Sequence, residues 1–415
     1  MDLTLLIFFL VYVVMAVGKL PGFMVDRTGA AVIGALAMMA VGSITAKGAW
    51  DAIDYRSMGL MFGLMVVSAA FVVSGFYGWT ARRIATLPLS APALLAVLIF
   101  VGAVLSSVLT NDVVVVAMTP LLVSATLARG LNPVPFLLAF CFAANIGASS
   151  TLIGSPRNMI LAQELGLSFN GFLKVTALPV LICLPLVWGV IALLYRRRWA
   201  LAAPAGGPAP AHPAAAQTPA LDVWETVKAG LVTIAVVVAF VASDWPRDII
   251  ALTAAGVLLI NRTISSRDML GHVDGNLLLF IMGLFVVNAA MAATGLPQTL
   301  LSDLRGAGID LADPLALYLV GGGLSNIVGN SPAVMLLVPF LSLGGSSDAL
   351  GAALGLGIGL SSNLIVFGSL AGIIVVEQAA ACGVKISFSE FSRAGVPVTV
   401  ASMILAAGWI LLMAY

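Results

Sequence analysis

The chain has 415 residues, of which 61% are hydrophobic and 9% are charged, and its formal net charge is +1. A typical soluble domain carries about 25% charged residues, so this chain has too few charges to build a surface that faces water. The composition excludes a soluble enzyme, a nucleic-acid-binding protein and a disordered scaffold, and it indicates a protein that uses the lipid bilayer as its solvent.

Long apolar runs predict about ten membrane-spanning helices. A helix needs about 20 predominantly apolar residues to cross a hydrocarbon layer of about 30 Å. The run that begins at Leu3 lacks a basic leader and a small-residue cleavage motif, so we expect a retained span and not a signal peptide. The spans are placed near residues 3–19, 28–45, 57–77, 133–163, 171–195, 224–243, 247–261, 276–296, 350–380 and 394–414.

Two further apolar stretches, residues 92–127 and 313–342, have polar residues at their centres. The interruptions read SSVLTND from Ser106 and SNIVGNSP from Ser325. A straight helix facing lipid would expose these groups to hydrocarbon, whereas a re-entrant helical hairpin places them at a tip inside the protein. We therefore predict an all-α integral membrane fold with two re-entrant hairpins besides the spans.

A segment rich in Pro, Ala and Gly, residues 197–222, shows no periodicity and predicts a flexible cytoplasmic linker. It separates residues 1–196 from residues 223–415, and these halves repeat. Matching residues recur 219 or 220 positions later, as in the pairs Asp54 and Asp274, Gly63 and Gly283, Ser68 and Asn288, Asn111 and Asn330, and Pro120 and Pro339.

Each half holds five spans and one hairpin, so the second half must enter the membrane from the opposite side. Alternate assignment of the loops then separates the basic residues strongly. One side holds only Lys47, Arg56, Lys174, Arg247 and Arg305. We expect the other side to be cytoplasmic, since it holds Lys19, Arg27, Arg82, Arg83, Arg129, Arg196, Arg197, Arg198, Lys228, Arg262, Arg267, Lys385 and Arg393. Both termini then lie outside, the first hairpin opens to the cytoplasm and the second opens outward.

Polar segments also interrupt the two spans that follow the hairpins. Broken helices expose N–H groups that attract anions, and C=O groups that coordinate small cations together with Asn and Ser oxygens. Close helix packing through small residues is the alternative explanation of each segment. Because all four segments occupy matched repeat positions, we predict one enclosed substrate and ion site formed by Thr110, Asn111, Asp112, Asn145, Gly147, Ser149, Thr151, Ser155, Arg157, Asn158, Asn330, Ser331, Ser362, Asn363 and Ser369.

Two charged residues fall inside the predicted membrane region. Asp112 lies at the first hairpin tip, and an ionised, unpaired acid there would cost several kcal/mol. We expect Asp112 to be protonated, paired or bound to a cation, and we assign it as the proton-coupling group; a helix cap is the alternative. Arg157 is predicted to hold an oxyanion or to pair with Asp112, and snorkelling to the interface is its alternative.

The remaining chemistry of the sequence indicates no resident cofactor or metal. Cys141, Cys183 and Cys382 lie in or beside apolar runs without metal-ligand spacing, so we expect small core residues and neither disulfides nor a thiolate site. No nucleophile–base pair or nucleotide-binding motif occurs in the sequence. A proton or Na⁺ as coupling ion is the expected small-molecule requirement, and a primary pump would need a separate ATPase subunit.

Three segments resemble the ArsB/NhaD-type ion transporter superfamily, which includes arsenite permeases, citrate transporters and divalent-anion/sodium symporters. They read TNDVVVVAMTPLL from Thr110, NIGASSTLIGSPRNMI from Asn145 and GSLAGIIVVEQAAACGVKISFSEFSRAGVPVT from Gly368. Sodium-coupled dicarboxylate members have Ser-Asn-Thr at both hairpin tips, and this chain does not, which favours the ArsB-like branch. Arg157 also replaces the second proline of the usual loop. The resemblance implies a transport part that moves against a scaffold, and it leaves a homodimer open.

The sequence thus predicts a secondary active transporter of a small anion or oxyacid that works by alternating access. Proton-coupled efflux of arsenite or antimonite is our first hypothesis. The alternatives are a sodium-coupled anion symporter of the dicarboxylate, citrate or sulfate type, a sodium/proton antiporter and, in a different class, an ion channel. We expect an integral protein of the plasma membrane, the inner membrane in a bacterium, with no enzymatic activity and no nucleic-acid partner.

Overall fold

The computed structural model describes residues 3–20, 22–201, 219–306, 308, 310–341 and 347–414. The regular elements in these ranges are helices, and seven of them are long and apolar enough to cross a membrane alone. The predicted all-α membrane fold is confirmed. The centre of the predicted linker, residue 342 of the predicted second hairpin and both chain termini lie outside the described ranges.

The two halves contain the same elements in the same order. The first half consists of α1 (Leu3–Val17), α2 (Arg27–Ala40), α3 (Ala46–Asp51), α4 (Tyr55–Val73), α5 (Phe76–Ala85), α6 (Ala91–Val108), α7 (Asn111–Ala128), α8 (Pro133–Ala148), α9 (Pro156–Glu164) and α10 (Phe169–Leu194). The second consists of α11 (Val223–Ala242), α12 (Arg247–Leu259), α13 (Ser266–Leu270), α14 (Gly275–Ala292), α15 (Leu296–Gly306), α16 (Pro314–Val328), α17 (Asn330–Leu341), α18 (Ser347–Ser361), α19 (Leu370–Ala381) and α20 (Phe388–Ala414).

The helix pairs that join the halves show that the repeats are inverted. α2 packs against α14, and α4 packs against α12. Along the first pair the contacts advance in the same direction, because Gly283 faces Ala31 and Gly34 faces Val287. α14 therefore runs parallel to α2. Consecutive spans such as α2 and α4 cross in opposite directions, so α14 is antiparallel to its own repeat counterpart, α4.

Close helix crossings explain glycines at matched positions. A Cβ atom on Gly63 would lie 2.5 Å from the backbone carbon of Ala251, and one on Gly283 would lie 2.8 Å from that of Ala31. Hard-sphere contact forbids such distances, so only glycine permits these helices to approach so closely.

The predicted hairpins are the pairs α6–α7 and α16–α17, and their turns lie at the polar interruptions. Leu109 and Thr110 are extended between the arms of the first hairpin. Gly329 makes the second turn with φ of +96°, in a region that disfavours residues with a side chain.

The spans predicted at 133–163 and 350–380 are each two helices. α8 ends at Ala148, and α9 begins at Pro156, where a missing N–H costs no helical hydrogen bond. α18 ends at Ser361, and a short 3₁₀ turn, Val366–Gly368, precedes α19. These breaks supply the free helix ends that the polar sequences predict.

The structure also contains four short helices that the sequence analysis did not identify, namely α3, α5, α13 and α15. α5 and α15 directly follow the long helices α4 and α14, and Gly75 and Gly295 permit the bends with φ of +76° and +74°. They are short and mixed in polarity, so a search for long apolar runs merges their starts with the preceding spans.

Both ends of the predicted linker contact the helical body. Ala200 pairs with Leu131 in an isolated antiparallel bridge. At the other end, the backbone N–H of Asp222 donates to the carbonyl oxygen of Ser74 over 2.9 Å. Backbone contacts therefore hold both ends of the linker against the first half.

Candidate substrate and ion site

Asn145 connects polar segments from both halves. Its Nδ2 donates to Asn363 Oδ1 at 2.9 Å and to Ser369 Oγ at 3.0 Å, and its Oδ1 accepts from Asn111 Nδ2 at 3.4 Å. Asn145 and Asn363 are completely buried, and Asn111 and Ser369 nearly so. One amide thus joins the first hairpin tip to the break in the second half, as the predicted enclosed site requires.

The break between α8 and α9 is fastened to the first hairpin. Asn158 Nδ2 donates to the carbonyl oxygens of Ala148 and Thr151 at 2.9 and 2.8 Å. Thr151 Oγ1 donates to the carbonyl oxygen of Ser107 at 2.5 Å. The backbone N–H of Asn111 donates to the carbonyl oxygen of Gly154 at 3.0 Å. Thr151 and Asn158 therefore hold the loop backbone in place.

The second hairpin tip is fastened to its own break in the same manner. Asn330 lies 3.1 Å from Ser362 Oγ. In the amide orientation that satisfies its neighbours, Asn330 donates to the carbonyl oxygen of Gly368 at 3.0 Å and accepts from Arg157 Nη1 at 3.2 Å. Asn330 is therefore the point where the second hairpin meets the only basic side chain predicted inside the membrane region.

Arg157 is fully buried between the halves. Its Nη2 donates to Ser149 Oγ at 3.0 Å, and its Nη1 reaches Asn330. Its Nε has no hydrogen-bond partner, and no carboxylate lies within ion-pairing distance of its guanidinium, in the part of the chain that the structure describes. The predicted direct pair with Asp112 is thus not formed; the charge of Arg157 acts on Asp112 from a greater distance.

A cavity of about 190 Å³ lies between the two hairpin tips and the starts of α2 and α14. Six of the predicted site residues line it, namely Asn111, Asp112, Ser155, Asn330, Ser331 and Ser369. The other nine do not line this cavity; they are Thr110, Asn145, Gly147, Ser149, Thr151, Arg157, Asn158, Ser362 and Asn363. Three of them, Asn145, Arg157 and Ser362, hydrogen-bond directly to residues that line the cavity.

Asp112 lies in the first turn of α7, and its side chain is half-buried at the cavity. Within the described ranges its carboxylate has neither a hydrogen bond nor an ion pair. Arg157 and Asp274 are the charged groups that act on it electrostatically. The carboxylate is therefore available to a proton, a cation or a substrate that enters the cavity.

Gly147 contributes space and not a ligand atom. A Cβ atom there would lie 2.4 Å from the carbonyl oxygen of Ala103 on α6. The matching contact in the second half is Gly357, where a Cβ atom would lie 2.3 Å from the carbonyl oxygen of Tyr318 on α16. These glycines let each broken helix pack closely against a hairpin arm.

The sequence analysis missed four polar residues that also line the cavity. Arg27 and Thr28 at the start of α2, and Asp274 and Asn276 at the start of α14, line it. A signal was present, because Arg27 and Asp274 match Arg247 and Asp54 at the repeat offset of 220 residues. Both pairs lie in predicted loops at helix starts, where charged residues are ordinary, so the signal was easy to overlook.

Ser68 is a second missed residue. Its Oγ accepts from both the backbone N–H and the hydroxyl of Thr110, each at 3.0 Å, and it is fully buried on α4. Its repeat counterpart, Asn288, instead accepts from the hydroxyl of Tyr12 at 2.9 Å. The first hairpin tip is thus fixed to α4, while the cavity separates the second hairpin tip from α14.

Comparison with known proteins gives a consistent result. The family model CitMHS, described as citrate transporter, matches residues 10–345. An uncharacterized transporter of Mycobacterium tuberculosis is 31% identical over 97% of this chain and 96% of its own length. A Dictyostelium discoideum transporter named arsB is 31% identical over 42% of this chain and 31% of its own length. The crystal structure of the Alcanivorax borkumensis YdaH transporter aligns with a TM-score of 0.56 at 14% identity, covering 99% of this chain and 96% of that one.

Proposed function

The chain belongs to the citrate transporter family, and from that premise we propose that it moves a small anion or oxyacid across the membrane by proton-coupled alternating access. The single observation that carries this proposal is the unpaired carboxylate of Asp112 on a cavity between two inverted hairpins. An acid without a partner at membrane depth is favoured in its protonated form or beside a bound cation. One such group can carry one proton in each cycle.

The charges around the cavity favour a substrate of low net charge. Arg27, Asp112 and Asp274 line it and Arg157 hydrogen-bonds to Asn330, so two positive and two negative groups balance when all are ionised. The other polar lining groups are amides and hydroxyls. Such groups suit a hydroxylated oxyacid, and arsenite and antimonite are uncharged trihydroxides near neutral pH. Their efflux is the first candidate activity.

Citrate is the second candidate, because the family description names it. A trianion needs more positive charge than this cavity provides. Protonation of Asp112 would leave two positive groups, Arg27 and Arg157, against the single negative charge of Asp274. A divalent cation bound to citrate would in addition lower the negative charge of the substrate. A sodium-coupled variant of this activity would use the oxygens of Asn111, Asp112 and Ser155 around Na⁺. Exchange of sodium for protons at the same oxygens is a third candidate.

The test is transport by purified protein in lipid vesicles. Arsenite, antimonite, sulfate, phosphate, citrate with and without Mg²⁺, and succinate are each offered under a pH gradient alone or a sodium gradient alone. We expect the pH gradient to drive accumulation of arsenite or antimonite by the unaltered chain. Asp112→Asn should abolish this coupling, because an amide cannot exchange a proton in this pH range. Asp274→Asn is the matched control, since it removes one carboxylate from the same cavity at the N-cap of α14, and it should retain coupling.

Three results would contradict the proposal. A sodium gradient that drives transport when a pH gradient does not would assign Na⁺ as the coupling ion. Full coupling in Asp112→Asn would place the proton on another group. Dissipative flux that is insensitive to both gradients and unsaturable in substrate would indicate a channel.

A further inference from the structure

A second cavity lies between the end of α10 and the start of α20. None of the residues of the candidate site lines it. Its volume is about 300 Å³, and Tyr195, Arg198, Ser387, Ser389, Glu390 and Arg393 contribute its polar lining. The charge-based topology places both helix ends on the cytoplasmic side. None of these residues lines the first cavity.

The lining of this second cavity is basic overall. Arg198 and Arg393 carry two positive charges against the single carboxylate of Glu390. That carboxylate already accepts the hydroxyl of the buried Tyr195 at 3.1 Å. Neither arginine forms an ion pair with any acid among the residues that the structure describes. Two exposed arginines therefore line one space, and neither has an anionic partner among the described residues.

The start of α10 is the repeat counterpart of the start of α20 and can be compared with it. Ser168 and Ser387 cap the matching helices α10 and α20 by accepting from the backbone N–H three residues later, at 2.9 and 3.1 Å. At α10 a carboxylate occupies the cap, because Asp348 accepts both the N–H and the hydroxyl of Ser168 at 2.8 Å each. At α20 the same position opens into the cavity that Arg198 and Arg393 line. The cap of α10 is thus occupied by an acid from α18 in the second half, whereas no carboxylate among the described residues hydrogen-bonds to the matching Ser387.

The surroundings favour a lipid as the source of that anion. Leu193 and Phe388, one from each helix, flank the cavity and are 72% and 54% exposed. Apolar side chains at the membrane interface can contact acyl chains while neighbouring arginines hold a headgroup. A free phosphate ion would gain nothing from these two side chains.

We propose that this cavity binds the phosphate of an anionic phospholipid headgroup. Arg198 and Arg393 hold the phosphate oxygens, since guanidinium groups pair with phosphate through parallel hydrogen bonds. The hydroxyls of Ser387 and Ser389 complete the polar contacts, and the acyl chains pass over Leu193 and Phe388. Glu390 opposes the anion and so limits its affinity.

The experiment measures lipid binding by the full-length protein in neutral detergent, using native mass spectrometry with added phosphatidylglycerol or phosphatidylcholine. The double variant Arg198→Gln/Arg393→Gln should lower phosphatidylglycerol occupancy at least tenfold and leave phosphatidylcholine occupancy unchanged. The control variant Arg196→Gln/Arg197→Gln removes the same charge from neighbouring arginines that are equally exposed but do not line the cavity, and it should bind like the unaltered chain. Glu390→Gln should raise occupancy several-fold, which misfolding could not do.

Two results would overturn the proposal. The first is equal phosphatidylglycerol binding by Arg198→Gln/Arg393→Gln and by the control variant, which would remove these arginines from the site. The second is complete displacement of phosphatidylglycerol by millimolar inorganic phosphate, which would make a soluble anion the natural occupant.

Discussion

At the scale of single residues, Asn145 forms one of the polar connections between the halves. We expect Asn145→Ala to destabilise the protein, because it leaves the buried amides of Asn111 and Asn363 without that partner. A buried polar group that loses its hydrogen bond costs about 1–3 kcal/mol. Thermal unfolding followed by fluorescence in detergent measures the change. Asn170→Ala is the control, since its exposed amide donates only to the carbonyl oxygen of Val241, and an equal loss in both variants would contradict the assignment.

Arg157 gives a second prediction at this scale. Arg157→Lys keeps the positive charge but cannot reach Ser149 and Asn330 together, because an ammonium is a point charge without the planar fork. Loss of one charge-assisted hydrogen bond costs about 1.5–3 kcal/mol, so we expect initial transport rates to fall at least tenfold. Rates measured in vesicles against Arg196→Lys, a change at an exposed residue that lines neither cavity, test the prediction. Unchanged rates would show that charge alone suffices.

Six of the fifteen predicted site residues line the cavity, and the sequence could not show which of the fifteen would do so. Asn111, Asp112 and Asn330 were found because polar groups at membrane depth are costly and therefore conspicuous. The contact of Arg157 with Asn330 depends on how the second hairpin packs against the helix break of the first half. No local sequence pattern specifies a contact between residues so far apart in the chain. Arg27 and Asp274 were missed for a related reason, since charged loop residues give no local sign that a cavity opens beside them.

At the scale of elements, the crossing of α4 and α12 depends on Gly63. A methyl group there would overlap the backbone of Ala251, and overpacking of this kind costs about 1–3 kcal/mol. We expect Gly63→Ala to lower the unfolding temperature in detergent. Gly256→Ala, on the facing helix α12 and open to space within 4 Å, should leave it unchanged or raise it slightly. Equal stability of both variants would show that the helices can separate at no cost.

The elements themselves differ in how strongly the sequence marks them. Both hairpins and both helix breaks follow from polar clusters inside apolar runs, and the structure puts their turns and free ends there. α5 and α15 carry no comparable mark, because short helices of mixed polarity resemble loops. The resemblance to the ArsB/NhaD-type superfamily, carried by the hairpin and break motifs, is confirmed by the citrate transporter family match.

At the scale of the whole molecule, the two halves differ at the cavity, and repeat-matched residues can report from which side it is reached. Leu277 on α14 lines the cavity, whereas its counterpart Ser57 on α4 is fully buried. With Cys382 replaced by Ala, since Cys141 and Cys183 are buried, we expect a membrane-impermeant maleimide to label Leu277→Cys in inside-out vesicles. Ser57→Cys should resist the same reagent in right-side-out vesicles.

This labelling pattern also tests the charge-based orientation, which assigns the Arg27 side to the cytoplasm. Labelling of Leu277→Cys in right-side-out vesicles alone would reverse the orientation. Equal labelling of Leu277→Cys and Ser57→Cys, each from its own side, would contradict a state in which only the start of α14 is accessible. The two hydrogen bonds from Thr110 to Ser68 hold the first hairpin against α4 in the observed state.

The buried guanidinium of Arg157 has an electrical consequence. With Asp112 ionised, the two side chains contribute no net charge to the site; with Asp112 protonated, they contribute one positive charge. A membrane potential acts on net charge, by about 2.3 kcal/mol for each elementary charge per 100 mV. In the proposed cycle the protonated site is therefore drawn toward the negative interior of a cell, while the deprotonated site is indifferent to voltage. Protonation of one carboxylate would in this way convert a chemical gradient into a voltage-biased movement.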